Sequence, residues 1–163
     1  MISPELLRRY PFFGIFSDSH LKELAMVSEE ISAEPNSILF KKGDPAQALY
    51  VLVEGEVDLI DYLTSEVDPT YCKEFLAGEM EPGSVLAISA LVEPYKLTAT
   101  AKITQKSRLI AIDGKELKRL ADEDITLGYS LMRQVAKVAI ERMVNSRTLL
   151  ACLLYTSPSP RDS

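Results

Sequence analysis

Between Ile31 and Asp113 the apolar residues fall largely on alternate positions, whereas before and after that stretch they recur every three or four residues. The first spacing is that of a strand with one buried face, the second that of an amphipathic helix. Pro4–Tyr10 and Ser17–Ala25 carry two short helical patterns; Ser17 or Asp18 stands where a cap is needed, and Leu21, Leu24, Ala25 and Val27 share a face. They predict a helical cover. In the alternating region Ile38, Phe40, Tyr50 and Leu52 mark strands. Turns are signalled at Pro35-Asn36, Lys42-Gly43-Asp44, Glu54-Gly55, Val67-Asp68-Pro69, Ala77-Gly78 and Pro82-Gly83. Short strands so punctuated predict a small antiparallel barrel or roll and not a βαβ sheet. Ala48–Leu59 reads as a hairpin turning at Glu54-Gly55, with Gly55 supplying a positive φ. Lys73–Ala77, Leu97–Ile103 and Ser107–Asp113 read as further strands.

After Asp113-Gly114 the helical period returns. Lys115–Ala121 predicts a short helix, and Asp124 or Thr126 can open a longer one reaching at least Leu150. On it Met132, Ala136, Ala139, Met143, Ser146 and Leu150 form one stripe, and Leu131, Val135 and Val138 an adjacent one. Two stripes imply two packing partners, the roll and the same helix of a second subunit, with Met132, Val135, Ala136, Ala139, Met143 and Leu150 as candidates for a coiled-coil-like homodimer seam. The competing reading buries both stripes inside one monomer.

Composition narrows the function. A chain of 163 residues, 47% hydrophobic and 26% charged, fits one domain, with the roll at about 31–113 and the C-terminal helices at about 115–150. A net charge of −6 argues against nucleic-acid binding by this segment itself. With no long apolar run, no membrane association is expected and a cytoplasmic location is. Cys72, Cys152 and His20 have no pairing that suggests a disulfide framework, a metal site or a cofactor. Cys72 reads as a small buried strand residue, and His20 as lying on an exposed helix. One histidine gives no nucleophile–base–orienter triad, so no enzyme is expected. The carboxylates of SEEISAEP and ADED read as solvated faces and a helix cap. Cys152–Asp162 resembles the translation of a sequencing-library transposase adapter. Residues 152–163 are therefore expected to be an artefactual, disordered tail, and the natural chain to continue past Ala151.

Pro82–Ala101 has the layout of an anion-binding turn: Pro82-Gly83, a helix-compatible run Val85–Leu91, a loop, then an alternating segment. Its charges are only Glu93 and Lys96. Together with FKKGDPAQALYVLVEGEVDL, in which Phe40, Gly43, Asp44, Tyr50, Val53, Gly55 and Val57 stand at signature positions, this chain resembles the cyclic-nucleotide-binding domains over Leu6–Leu150. The resemblance is to the catabolite-activator type of bacterial regulator and its stand-alone versions. It implies a mainly β fold, a jelly-roll-like β-roll (a double-stranded β-helix) with N-terminal helices and a long C-terminal helix.

In that family the phosphate cassette reads roughly Gly-x-x-Phe-Gly-Glu-x-Ala-Leu and then Pro-Arg-x-Ala-Thr; the Arg pairs with the cyclic phosphate and the Glu holds the ribose 2′-OH. Here Gly83, Leu86, Ala87, Ala90, Leu91, Ala99 and Thr100 follow the pattern, while the two ligand positions fall on Ile88 and Leu97. Ile88 accepts no hydrogen bond, and Leu97 leaves a buried phosphate uncompensated, a deficit on the order of several kcal/mol. Lys96 comes one residue early and on a strand would face the other way, unless the loop Val92–Lys96 slips in register. Ser89, Thr98 and Thr100 remain as neutral donors, with the expected helix-start amides of Leu86 and Ala87.

The expectation is therefore a non-catalytic sensor or regulatory module. Its pocket candidates are Gly83, Leu86, Ala87, Ile88, Ser89, Leu97, Thr98 and Thr100, and its effector is a small molecule, apolar or weakly anionic, if it has one. Two alternatives stand beside it. One is the sensor half of a transcription regulator whose helix-turn-helix follows Leu150; the other is a genuine cyclic nucleotide binder.

Overall fold

The computed structural model describes residues 1–68, 70 and 72–156. Pro69 of the expected turn and residues 157–163 of the expected tail lie outside them. Helix α1 (Pro4–Arg8), a 3-10 turn (Pro11–Phe13) and α2 (Asp18–Met26) precede six strands: β1 (Ser28–Ala33), β2 (Ile38–Phe40), β3 (Ala48–Thr64), β4 (Cys72–Met80), β5 (Val85–Leu86) and β6 (Thr100–Asp113). Helices α3 (Gly114–Glu123) and α4 (Ile125–Thr156) follow. All pairings are antiparallel, in the order β1-β6-β3-β4, with β2 also on β6 and β5 on β3.

The predicted hairpin at Glu54-Gly55 is not one: β3 runs straight through it. Gly55 does have the positive φ, +106°, but it serves a bulge, flanked by register shifts between Leu52 and Glu54 and between Glu54 and Glu56. A bulge bends a strand without reversing it. Before it Leu49–Leu52 pair with Leu109–Ile112, and beyond it Val57–Ile60 pair with Thr100–Ile103. Likewise the two strands expected at Leu97–Ile103 and Ser107–Asp113 are one, β6, which begins only at Thr100.

The buried side chains fall into three clusters. Leu52, Val57, Leu86, Ala101, Ile103 and Leu109 fill the roll. Leu49, Val51, Ile110 and Ile112 face the other way, against Leu7, Phe13, Leu21 and Leu24 of the N-terminal cover and Leu117, Leu127 and Leu131 of the C-terminal helices. Ala46, Ala87, Ala90 and Leu97 make the third, with Phe40 and Tyr50 at its edge.

Cys72 is exposed, not buried, because the outer parts of β3 and β4 form a ribbon on which Leu63, Phe75 and Leu76 are exposed too. The long helix reaches Thr156, so Cys152–Thr156 continue it where the tail was expected to be disordered. Of its stripes, Leu131 and Val135 are buried and Val138 is half-buried against the helical cluster, while Met132, Ala136, Ala139, Met143, Ser146 and Leu150 are exposed. Val135 thus belongs to the monomer core, not to the seam in which it was included; its neighbours at the i−4 and i+3 positions, Leu131 and Val138, pack on the same cluster.

Capping follows the sequence closely. Ser17 Oγ accepts from the His20 amide at 3.2 Å. Asp113 Oδ1 accepts from the Lys115 and Glu116 amides at 2.8 and 3.2 Å. Asp124 Oδ1 accepts from the Thr126 and Leu127 amides at 3.1 and 3.2 Å, while its Oδ2 meets His20 Nε2 at 2.8 Å. His20 is therefore not the exposed residue expected: it ties α2 to the start of α4.

The Leu127 amide, joined by the His20 ring and the Thr126 amide, holds the Asp124 carboxyl below the usual carboxylate range against the desolvation that opposes them. A depressed folded-state pKa stabilises above the unfolded value and is lost as pH falls through the folded one. Urea midpoints are therefore expected to drop below about pH 4, the unfolded aspartate range, and Asp124→Asn to shrink that drop. An acid limb equally steep in the variant would remove Asp124 as its source.

Candidate functional site

The cassette is pinned to β3 at its start. The Gly83 amide donates to the Leu52 carbonyl at 2.8 Å, and the Leu52 amide to the Ser84 carbonyl at 2.9 Å. Val85 and Leu86 then form β5, pairing with Val51 and Tyr50. They are strand and not the first turn of a helix, so the expected helix-start amides of Leu86 and Ala87 are not that. The helical segment is a four-residue 3-10 turn, Ile88–Leu91, entered through Ala87 at φ +63° and ψ +43°. A residue in this left-handed region carries a cost of roughly 1 kcal/mol for any side chain with a Cβ, and the Ala87 methyl offsets it by packing in the third cluster.

Leu97 is held by main-chain bonds, its amide donating to the Asp44 carbonyl at 2.9 Å and its carbonyl accepting from the Gly43 amide at 2.8 Å. It is buried, and Lys96 beside it is exposed. The register slip that would turn Lys96 inward does not occur. Thr98 is exposed, and the hydroxyl of buried Thr100 accepts from the Lys42 amide at 3.0 Å.

The structure does not gather the eight pocket candidates into one site. Ala87 and Leu97 meet in the third cluster; Leu86 belongs to the roll interior; half-buried Ile88 packs against the helical cluster. Ser89 is half-buried, and Gly83 lies at the edge of a different cleft. The positions that the resemblance assigns to the ribose and phosphate groups therefore sit in separate apolar environments. Beside Leu97 is a cavity of about 230 Å³, walled by Leu39, Phe40, Pro45 and Tyr50, and the charged residue on its wall is Asp44. The Phe40 and Tyr50 rings stack at 5.8 Å, and burial pushes the Tyr50 phenol up, so it is a neutral group at physiological pH.

A larger cleft, about 500 Å³, opens between α4 and the turn joining β4 to β5. Half-buried Arg142 reaches into it from the helix: its guanidinium donates to the Val85 carbonyl and lies 3.7 Å from Met80 Sδ. Desolvation pulls this guanidinium down from its usual range, opposed by the neighbouring Glu141. Gln134, buried on the same helix, donates from Nε2 to the Phe12 carbonyl at 2.8 Å. Sequence reasoning placed neither of them in a pocket. A signal existed: Arg142 falls four residues after Val138, on the continuation of the roll-facing stripe.

Among the described residues no group of His, Cys, Asp and Glu side chains is arranged to hold a metal ion, and no helix is long and apolar enough to cross a membrane.

A family model for the cyclic nucleotide-binding domain matches residues 30–124. The chain is similar to the crystal structure of a cyclic nucleotide-binding protein from Geobacter metallireducens GS-15, with 34% identity and a TM-score of 0.76 over 88% of this chain and 99% of that one. It is also similar to the N-terminal domain of a transcriptional regulator from Streptomyces coelicolor A3(2), with 27% identity and a TM-score of 0.63 over 94% and 99%. A cyclic nucleotide-binding domain from Methylobacillus flagellatus shares the fold at 17% identity and a TM-score of 0.75, over 96% of this chain and 83% of that one. Among curated sequences, a protein of Rhodopseudomonas palustris named as a potassium channel protein is 22% identical over 120 residues, 74% of this chain. The match spans 27% of that relative's length.

Proposed function

Because the chain belongs to the cyclic nucleotide-binding domain family, we propose that it is a non-catalytic sensor module of that fold whose roll does not hold a cyclic nucleotide tightly. One observation carries the reading: at the phosphate position stands Leu97, buried among Ala46, Ala87 and Ala90, beside a cavity of about 230 Å³ whose charged wall residue is an acid, Asp44. A buried phosphate without a cation loses several kcal/mol, and about 1.4 kcal/mol is a tenfold loss of affinity. The cavity is also smaller than the roughly 300–1,000 Å³ usual for small-molecule sites. Isothermal titration with cyclic AMP and cyclic GMP at up to about 1 mM is expected to give no binding heat. A saturable heat on folded protein overturns the reading.

The exposed stripe of α4, Met132–Ala136–Ala139–Met143–Ser146–Leu150, supports a homodimer through that helix. The spacing of four and three is that of a coiled-coil seam, and its small residues let two helices approach closely. The match to nearly the whole N-terminal domain of the Streptomyces regulator favours one output, a DNA-binding segment after α4. Sequencing the genomic locus tests it: a helix-turn-helix pattern in frame is expected, and a stop codon soon after Ala151 removes that reading.

A further inference from the structure

We propose that the cleft between α4 and the β4–β5 turn binds a small apolar monocarboxylate, with the guanidinium of Arg142 as its anchor. The proposal names the effector class of the sensor read above and rests on that reading, but it concerns a different cavity from the one beside Leu97.

Arg142 is the first observation. Its fork has five N–H donors, and the structure gives it a main-chain carbonyl and a thioether, with no carboxylate partner among the described residues. A desolvated cation that feels the field of Glu141 but has no carboxylate hydrogen-bonded to its fork is an unfavourable arrangement that a directly bound anion relieves. Even with its pKa lowered by burial an arginine stays charged at neutral pH, so the donor set is always ready.

The walls select the ligand. Phe12, Met80, Pro82 and Val138 offer apolar surface, suited to a hydrocarbon tail or ring. The volume of about 500 Å³ lies within the range of ordinary ligand clefts. Glu79, Glu81 and Glu141 also border the cleft, and Lys137 is the other cation. Three acids against two bases disfavour phosphate esters and dicarboxylates, while one carboxylate can still take the arginine fork in bidentate fashion. Because Arg142 now holds Val85, two residues before the left-handed Ala87, a ligand that shares its guanidinium would alter the grip of α4 on the cassette.

Octanoate and benzoate at about 10 mM, in a thermal-shift assay of the full chain, are expected to raise the wild-type melting temperature by about 3 °C. Inorganic phosphate and succinate at the same ionic strength are expected to leave it unchanged. Arg142→Gln should abolish the shift. Should that variant fail to fold, Val138→Phe, which fills the cleft and keeps the arginine, should abolish it instead. No shift with either monocarboxylate, an equal shift in the folded variant, or a larger shift with phosphate would each overturn the proposal. None of these bears on cyclic nucleotide binding in the roll, which the titration above decides separately.

Discussion

Gly55→Ala is expected to destabilise the protein by about 4 kcal/mol, a large share of the roughly 5–15 kcal/mol that holds a domain together. Two costs add. At φ +106° the residue sits where a Cβ is strained, a cost of roughly 1–3 kcal/mol. In addition, a Cβ built there would lie 2.1 Å from Ser107 Oγ, 2.6 Å from Ser107 Cα and 2.7 Å from the Lys106 carbonyl oxygen. Two of those atoms are main chain of β6 and cannot swing aside. The third belongs to a fully buried hydroxyl that donates to the Gln105 carbonyl at 2.7 Å and accepts from the Glu56 amide at 3.2 Å. Overpacking of that kind costs a further 1–3 kcal/mol or so. Gly83→Ala separates the terms: Gly83 has φ +95° but open space around the missing Cβ, so it carries only the conformational cost. Urea denaturation of both variants measures the difference; equal midpoints would mean that β3 and β6 do not cross so closely at Gly55.

Replacing Ala136 and Met143 together by glutamate is expected to convert a dimer into a folded monomer. Both residues are exposed on α4, so the monomer loses little. In a symmetric seam each new carboxylate comes close to its own counterpart or to apolar neighbours. A penalty of about 3 kcal/mol or more would weaken association over a hundred-fold. Sedimentation velocity should show the wild type near twice the mass of the variant, with circular dichroism unchanged. Val135→Ala is the opposite control, because that side chain is buried in the monomer: it should lower stability by about 2 kcal/mol and leave association intact. A wild type that sediments as a monomer would remove the seam.

Local chemistry made most of the architecture legible in the sequence. Ser17 and Asp124 cap the helices at the ends their positions suggested, since a short acceptor beside free amides needs no distant partner. The fold class followed from the strand and helix periods and from the signature residues. The failures are those of non-local geometry. A glycine with positive φ looks the same in a two-residue turn and in a bulge; what made Gly55 a bulge is the closeness of β6, which pairing across the chain decides. Cys72 lies in a strand-like run of the kind that often buries a small residue, yet the part of the ribbon it sits on is exposed, with Phe75 and Leu76 exposed beside it. The pocket candidates were contiguous in the sequence, but β5, the left-handed Ala87 and the 3-10 turn rotate successive side chains into different clusters. The reading at Leu97 was reliable for the opposite reason: the alternation of Lys96 outward and Leu97 inward survives even though β6 starts later.

The span that the family model covers, 30–124, leaves out the residues from α1, α2 and α4 that cover Leu49, Val51, Ile110 and Ile112. The unit that can be inherited or moved between proteins is therefore wider than the unit that sequence profiles register. Excised at the profile's edges, the roll would keep its own interior and the part of the cover that α3 supplies, but would present the rest of that apolar face to water, an invitation to self-association. Gene fusions that succeed with this module must carry the flanks as well, and their attachment points then lie on the helical layer, on the far side of the sheet from the roll interior.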